Sequence, residues 1–173
     1  MRNLEANGKP HIEVVLASEN DFEFFYEIKK NDENMYWSGH LSAPDYDTLQ
    51  KYFTVAVKTQ HEPVKRKIYM VLYDNQRCGY LYLDPTDEYT AYVSIAVIDR
   101  FSGKGIGKAS LRKLAAIATD SGYQKIAAEI REDNSRSQGL FMAVGYKRTN
   151  KSRLLKMENS DYSIRMVEFV LDL

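Results

Sequence analysis

Residues 102–108 read Ser-Gly-Lys-Gly-Ile-Gly-Lys, three glycines at alternate positions with one lysine among them and another behind. The run in front, Tyr92 to Ile98, has the apolar density of a strand. The run behind, with Ile106, Leu111, Leu114, Ile117 and Ala118, has helical spacing. A chain that leaves a strand through such a loop and enters a helix is tightly constrained. It must turn sharply, which glycine permits, and it exposes the free N–H groups of the helix's first turn beside a bare backbone. Those N–H groups, the helix dipole, and Lys104 and Lys108 form a cradle for an anion. The segment predicts a phosphorylated ligand held at residues 102–108. A glycine turn that merely opens a helix is the plainer reading; the alternate spacing and flanking lysines favour binding.

Two familiar phosphate loops do not fit. The P-loop pattern G-x-x-x-x-G-K-[ST] needs a hydroxyl after its lysine, and Ala109 follows Gly107-Lys108, with Ser at 102. The dinucleotide fingerprint G-x-G-x-x-G belongs to the first strand of a parallel sheet. Here the spacing is G-x-G-x-G, and the preceding strand lies deep in the chain.

With 173 residues, one domain over 1–173 is expected, long enough for a proper core. The 24 basic and 24 acidic residues balance, with no basic block, which disfavours nucleic acid as a partner. No stretch approaches the roughly 20 apolar residues of a membrane span, and none at the N-terminus resembles a signal peptide. The lone Cys78 cannot form an internal disulfide, so a cytoplasmic protein, monomer or homodimer, is expected. His11, His40 and His61 are scattered without metal-ligand spacing, so no metal is expected.

Residues 12–17 predict a first strand, and Ser18 to Asp21 supply capping chemistry for a helix through Phe22, Phe25, Tyr26 and Ile28. The stretch 31–40 reads as irregular, and Pro44 as the first residue of a second helix with Leu49, Tyr52, Phe53 and Val57. Residues 67–73, 78–83 and 91–98 predict an antiparallel meander. A helix (105–120), a strand (125–130), a helix from Asn134, and a strand (163–171) follow, with a possible further strand at 146–156. The fold class is α/β of the α+β kind: a mixed, mostly antiparallel central sheet of six to seven strands flanked by about four helices.

Ile95-Ala96-Val97, the loop Ser102 to Gly107, and Asn134 with Leu140, Phe141, Gly145 and Tyr146 resemble the GNAT family of N-acetyltransferases. The family patterns are Q/R-x-x-G-x-G/A and N-x-x-A-x-x-L-Y-x-x-x-G-F. Gly105, Gly107, Asn134, Leu140 and Gly145 match, while Ser137 stands for Ala and Tyr146 for Phe. The resemblance covers roughly residues 66–150. It implies acetyl-coenzyme A as cosubstrate, with its pyrophosphate on the backbone of Ser102, Gly103, Lys104, Gly105, Ile106, Gly107 and Lys108. It also implies a pantetheine arm paired with Ile95, Ala96 and Val97 where that strand splays from the next, and Asn134 reaching the arm from the other side. A backbone N–H beside the thioester carbonyl would stabilise the oxyanion of acyl transfer.

Two positions depart from the family. Ser102 replaces the usual Gln/Arg anchor, a loss that Arg100 and Lys104 are candidates to offset. Phe141 replaces a Tyr that can protonate the leaving thiolate; Phe has no proton to give, so Phe141 is expected to pack against the cofactor. A coenzyme A thiolate can also leave unprotonated. The resemblance makes Glu129, five residues before Asn134, the candidate base, with a solvated strand carboxylate as the plain reading. Asp87, Glu88 and Tyr92 are weaker candidates. Cys78 has no evident His partner, which disfavours an acyl-cysteine route. The acceptor is expected between the first two helices and the last two strands, with Tyr36, Trp37 and Tyr92 as candidate substrate contacts. It would be a primary amine, on a small molecule such as an amino-sugar nucleotide or at a peptide N-terminus. A catalytically silent acyl-coenzyme A-binding module is the competing reading.

Overall fold

The computed structural model describes residues 11–157 and 160–173; residues 1–10 and 158–159 of the expected 1–173 domain lie outside the described residues. The elements in chain order are β1 (Ile12–Leu16), α1 (Phe22–Lys29), α2 (Asp32–Ser38), α3 (Tyr46–Thr59), β2 (Lys67–Tyr73), β3 (Gln76–Pro85), β4 (Thr90–Val97), α4 (Ile106–Asp120), β5 (Lys125–Arg131), α5 (Ser135–Val144), β6 (Lys147–Lys156) and β7 (Ser163–Asp172). The seven strands form one sheet in the order β1-β2-β3-β4-β5-β7-β6. β4 and β5 run parallel, and the other neighbouring pairs are antiparallel. This is the mixed sheet the sequence predicts, and residues 147–156 supply its further strand.

Strand alternation divides the apolar side chains between two faces. Leu81, Leu83, Ala91, Val93, Ile126, Ala128 and Ile130 pack with Ile106, Leu111 and Leu114 of α4 and Phe141 of α5. Ile68, Met70, Tyr80 and Tyr82 pack on the opposite face with Phe22 and Phe25 of α1 and Phe53 of α3. The β2–β3 turn is shorter than the polar run 74–77 suggests. Only Asp74 and Asn75 are in it, both at positive φ (48° and 63°), the two-residue hairpin that matches strand twist. The register then skips Cys78, so Val71 faces Gly79 and Leu72 faces Arg77. The skip puts Cys78 on the same face as Leu81 and Leu83.

Two helix expectations are corrected. The stretch 31–40 is not irregular: it contains α2, capped by the Asn31 side chain, which accepts from the N–H groups of Glu33 (3.1 Å) and Asn34 (3.2 Å). Gly39, at φ +79°, closes it in the left-handed conformation. Its apolar residues Met35, Tyr36 and Trp37 are consecutive, so it has caps but no helical period. Pro44 lies outside α3, whose cap is Asp45, accepting from Thr48 N–H at 2.9 Å.

Candidate active site

β4 pairs with β5 only at Thr90–Lys125, Ala91–Ile126 and Tyr92–Ala127. Beyond that the two parallel strands part, and from Val93 onward β4 keeps β3 on one edge and, among the described residues, has no strand on the other. Two adjoining cavities fill the gap. The first, about 320 Å³, runs along Ile95–Ile98 to the glycine loop and the start of α4, with α2 and α5 as its other walls. The second, about 220 Å³, continues to Ser94, Glu129, Arg131 and Leu155. They share Asn34, Trp37, Ile95, Asn134 and Ser137, so one cleft crosses the sheet.

The loop has the geometry of an anion cradle. Gly103 (φ +74°) and Gly105 (φ +73°) take left-handed backbone, and among the described residues no side chain caps α4. The first N–H groups of α4 therefore face the cavity region unopposed by an acceptor side chain. Gly107 has a packing reason instead: a Cβ there would stand 3.0 Å from Leu140 Cδ2, where α4 meets α5.

The cleft collects most of the predicted coenzyme residues. Ile95, Ala96, Val97, Ser102, Gly103, Gly105, Ile106, Gly107, Lys108 and Asn134 line the first cavity, and Phe141 lines the second. Lys104 is the exception. Its ammonium sits 5.3 Å from the Tyr73 ring centre and 5.2 Å from that of Phe101, and Arg100 lies 5.1 Å from the Phe101 ring. Neither side chain lines the cavity, so neither stands where Ser102 left an anchor missing. Asn134 uses its side-chain oxygen to cap α5 at Ser137 N–H (3.0 Å), leaving its NH₂ for a ligand.

On the acceptor side, Trp37 lines both cavities, while Tyr36 is largely exposed. The two rings meet edge to face and both lie over the Arg131 guanidinium, at 4.7 Å for Tyr36 and 5.1 Å for Trp37. Buried Arg131 also donates to the Tyr36 carbonyl (2.8 Å) and pairs with Asp133 (2.7 Å), which fixes α2 against β5. Glu129 is held by Arg153 from β6, with contacts of 2.7 and 2.5 Å to its two oxygens.

Tyr92 lines neither cavity. Its hydroxyl donates to Glu168 at 2.6 Å; that bond, ahead of burial, pushes the phenol up to about 12. It is thus no base at neutral pH. Burial alone would raise the Glu168 carboxyl. Hydrogen bonds from Tyr92 and Thr149, with the Lys151 ammonium at 3.7 Å, outweigh it and hold the group below its ordinary value.

Phe141 and Tyr146 meet edge to face at 4.9 Å, so the two aromatic types are exchanged relative to the family pattern. The Tyr146 hydroxyl is buried without a hydrogen-bond partner among the described residues, and burial raises its pKa. Cys78 is fully buried and its thiol donates to the Val71 carbonyl (3.4 Å); burial pushes it up to about 11. The native protein is therefore expected to resist thiol alkylation at neutral pH and to react once unfolded. Rapid labelling of the native protein in iodoacetamide mass spectrometry would contradict that.

The sequence profile of the acetyltransferase (GNAT) family matches residues 22–146. The chain belongs to the acetyltransferase (GNAT) family. The expected enzyme class holds: the chain is an N-acetyltransferase, and the cosubstrate of the family is acetyl-coenzyme A. No curated protein sequence matches the chain. Among solved structures, the chain is similar to spermidine N-acetyltransferase from Vibrio cholerae in complex with CoA and spermine, with 13% identity, 93% of this chain and 95% of that one covered, and a TM-score of 0.80. It is also similar to an aminoglycoside acetyltransferase in complex with coenzyme A (18% identity, 94% and 95% covered, TM-score 0.75). A third is ribosomal-protein-alanine N-acetyltransferase from Brucella melitensis (16%, 93% and 99%, TM-score 0.76). At such identities these likenesses establish the GNAT fold and leave the acceptor open. The residues that sequence reasoning missed are Glu33 on α2 and Arg136 on α5, together with Asp99 just ahead of the loop, all of which line the first cavity. Asp32-Glu33 after a capping Asn, and Arg136 in the first turn of α5, are the signals that were there to follow.

Among the described residues no helix is long and apolar enough to cross a membrane, and no group of three or more His, Cys, Asp or Glu is placed to hold a metal.

Proposed function

We propose that this protein transfers acetyl directly from acetyl-coenzyme A to a primary amine, on a small molecule or at a peptide N-terminus, in the cytoplasm. The observation that carries the reading is the parting of β4 from β5, which leaves a strand edge between an anion cradle and a second cavity. The cradle takes the pyrophosphate, the free edge of β4 takes the pantetheine arm, and the thioester lies where the two cavities join. The acceptor comes from the Glu129 side. Its ammonium, with a pKa of about 10, first loses a proton to Glu129, directly or through water. The neutral nitrogen then attacks the carbonyl carbon. The C–N bond forms, the C–S bond breaks, and one of the two protons still on nitrogen goes to the departing thiolate while the other stays as the amide N–H. Phe141 takes no part in proton transfer and packs beside the thioester.

The described lining of the second cavity contains one carboxylate, Glu129, and Arg153 already grips it. Glu168 is likewise satisfied by Tyr92, Thr149 and Lys151. This supports an acceptor with a single reactive amine over a polycation, although two similar structures are of spermidine and aminoglycoside acetyltransferases. Product mass spectrometry on an amino-sugar nucleotide, an N-terminal peptide, spermidine and an aminoglycoside tests the acceptor. Acetylation of either of the first two is expected, and exclusive acetylation of the polycations would contradict it. Glu129→Gln is expected to lower kcat about a hundredfold at neutral pH and less at high pH, where the amine sheds its own proton. An equal loss at every pH would make Glu129 a positioning residue.

A further inference from the structure

We propose that Arg136 binds the pyrophosphate of the coenzyme in place of the anchor missing at Ser102, and that Glu33 on α2 competes for it in the free protein. The inference rests on the coenzyme reading of the cleft. Arg136 stands in the first turn of α5 and lines the same cavity as the glycine loop. Its guanidinium donates to Ser102 Oγ at 2.6 Å. A cation is thus delivered to the place where the family sequence carries Gln or Arg, from an element 34 positions further along the chain. Arg100 and Lys104 are engaged with aromatic rings, and among the described residues Lys108 is the other cation in the cavity wall. A planar guanidinium suits a pair of phosphate oxygens better than an ammonium does.

Glu33 comes from the third wall. Its carboxylate lies 3.6 Å from the Arg136 guanidinium, and Asp99 lines the same cavity. Hydrogen bonding to Asp99, then burial, then the Asp99 charge raise the Glu33 carboxyl, against the opposing pull of Arg136. Two acidic side chains therefore share the lining of the cavity that a polyanion must enter, and Arg136 offsets them. When the pyrophosphate arrives, Arg136 exchanges Glu33 for phosphate oxygens. Glu33 and Trp37 are four residues apart on α2, one turn of the same face, so the exchange also bears on the wall of the acceptor cavity.

Calorimetric titrations with coenzyme A and with dephospho-coenzyme A, which keeps the pyrophosphate and lacks the 3′-phosphate, separate the possibilities. Arg136→Ala is expected to weaken both ligands equally, by about tenfold or more. Glu33→Gln is expected to tighten both severalfold, with the gain shrinking in the double variant because the two residues share one interaction. Wild-type affinity in Arg136→Ala would overturn the proposal. So would a loss confined to coenzyme A, which would place Arg136 on the 3′-phosphate. Should Arg136→Ala fail to fold, Glu33→Gln still decides: unchanged or weakened binding refutes the exchange. If the wild-type protein binds neither ligand, the coenzyme reading itself falls. If it binds both and the variants do not differ from it, only the role of Arg136 falls.

Discussion

Gly79→Ala is expected to destabilise the protein by about 3 kcal/mol, lowering its melting temperature by about 10 °C. The cause is a backbone approach with no room for a methyl group. A Cβ at Gly79 would stand 2.3 Å from the Ala96 carbonyl oxygen and 3.2 Å from Val97 Cα, both on β4. Neither is the end of a flexible side chain, so the strands themselves must separate. The position follows the skipped Cys78, where β3 is already out of simple alternation, and it pairs with Val97. Because Ala96 and Val97 also line the cleft, coenzyme binding should weaken together with stability. A thermal melt and a coenzyme titration on the same variant check both. A melting temperature within a degree or two of wild type would show that β3 and β4 have slack here.

Gly105→Val is expected to reduce coenzyme affinity more than a hundredfold while costing only about 1–2 kcal/mol of stability. The two effects have different origins. Gly105 has φ +73°, a conformation in which a branched side chain is strained whatever the surrounding space. A Cβ there meets nothing within 4 Å, so the fold itself is not crowded. The space is open because it belongs to the cleft, and the valine methyl groups would occupy the approach to the N–H groups of the first turn of α4. Losing two charge-assisted hydrogen bonds to phosphate is enough for the predicted loss. Titration calorimetry measures the affinity and a melt measures the cost. Binding within a few-fold of wild type would move the pyrophosphate off this loop.

Legibility in the sequence followed periodicity. The strands 67–73, 91–98 and 125–130 and the helix behind Gly105 have long, regular patterns, and each lies within a residue or two of its expected place. α2 has seven residues and three consecutive apolar side chains, so no period announces it; Asn31 and Gly39 define it at the ends. The bulge at Cys78 is invisible because alternation looks unbroken until the register of β2 against β3 is known. The glycine loop could be read because its chemistry is local, with backbone, dipole and lysines all within seven residues. Glu33 and Arg136 could not. Arg136 reaches Ser102 and Glu33 approaches Arg136 only because the sheet order brings α5, α2 and the loop around one cleft. Lys104 shows the converse: its sequence position promised a phosphate partner, and two aromatic rings nearby hold its ammonium elsewhere.

The most direct test of direct transfer in this cleft is thiol release from acetyl-coenzyme A with and without an acceptor amine, alongside the intact mass of the protein. Free coenzyme A thiol is predicted only when amine is present, one per acetylated amine, with the mass of the protein unchanged. One equivalent of thiol per protein in the absence of amine, with the protein gaining an acetyl group, would contradict direct attack. Coenzyme binding without thiol release on any amine would instead identify a silent binding module.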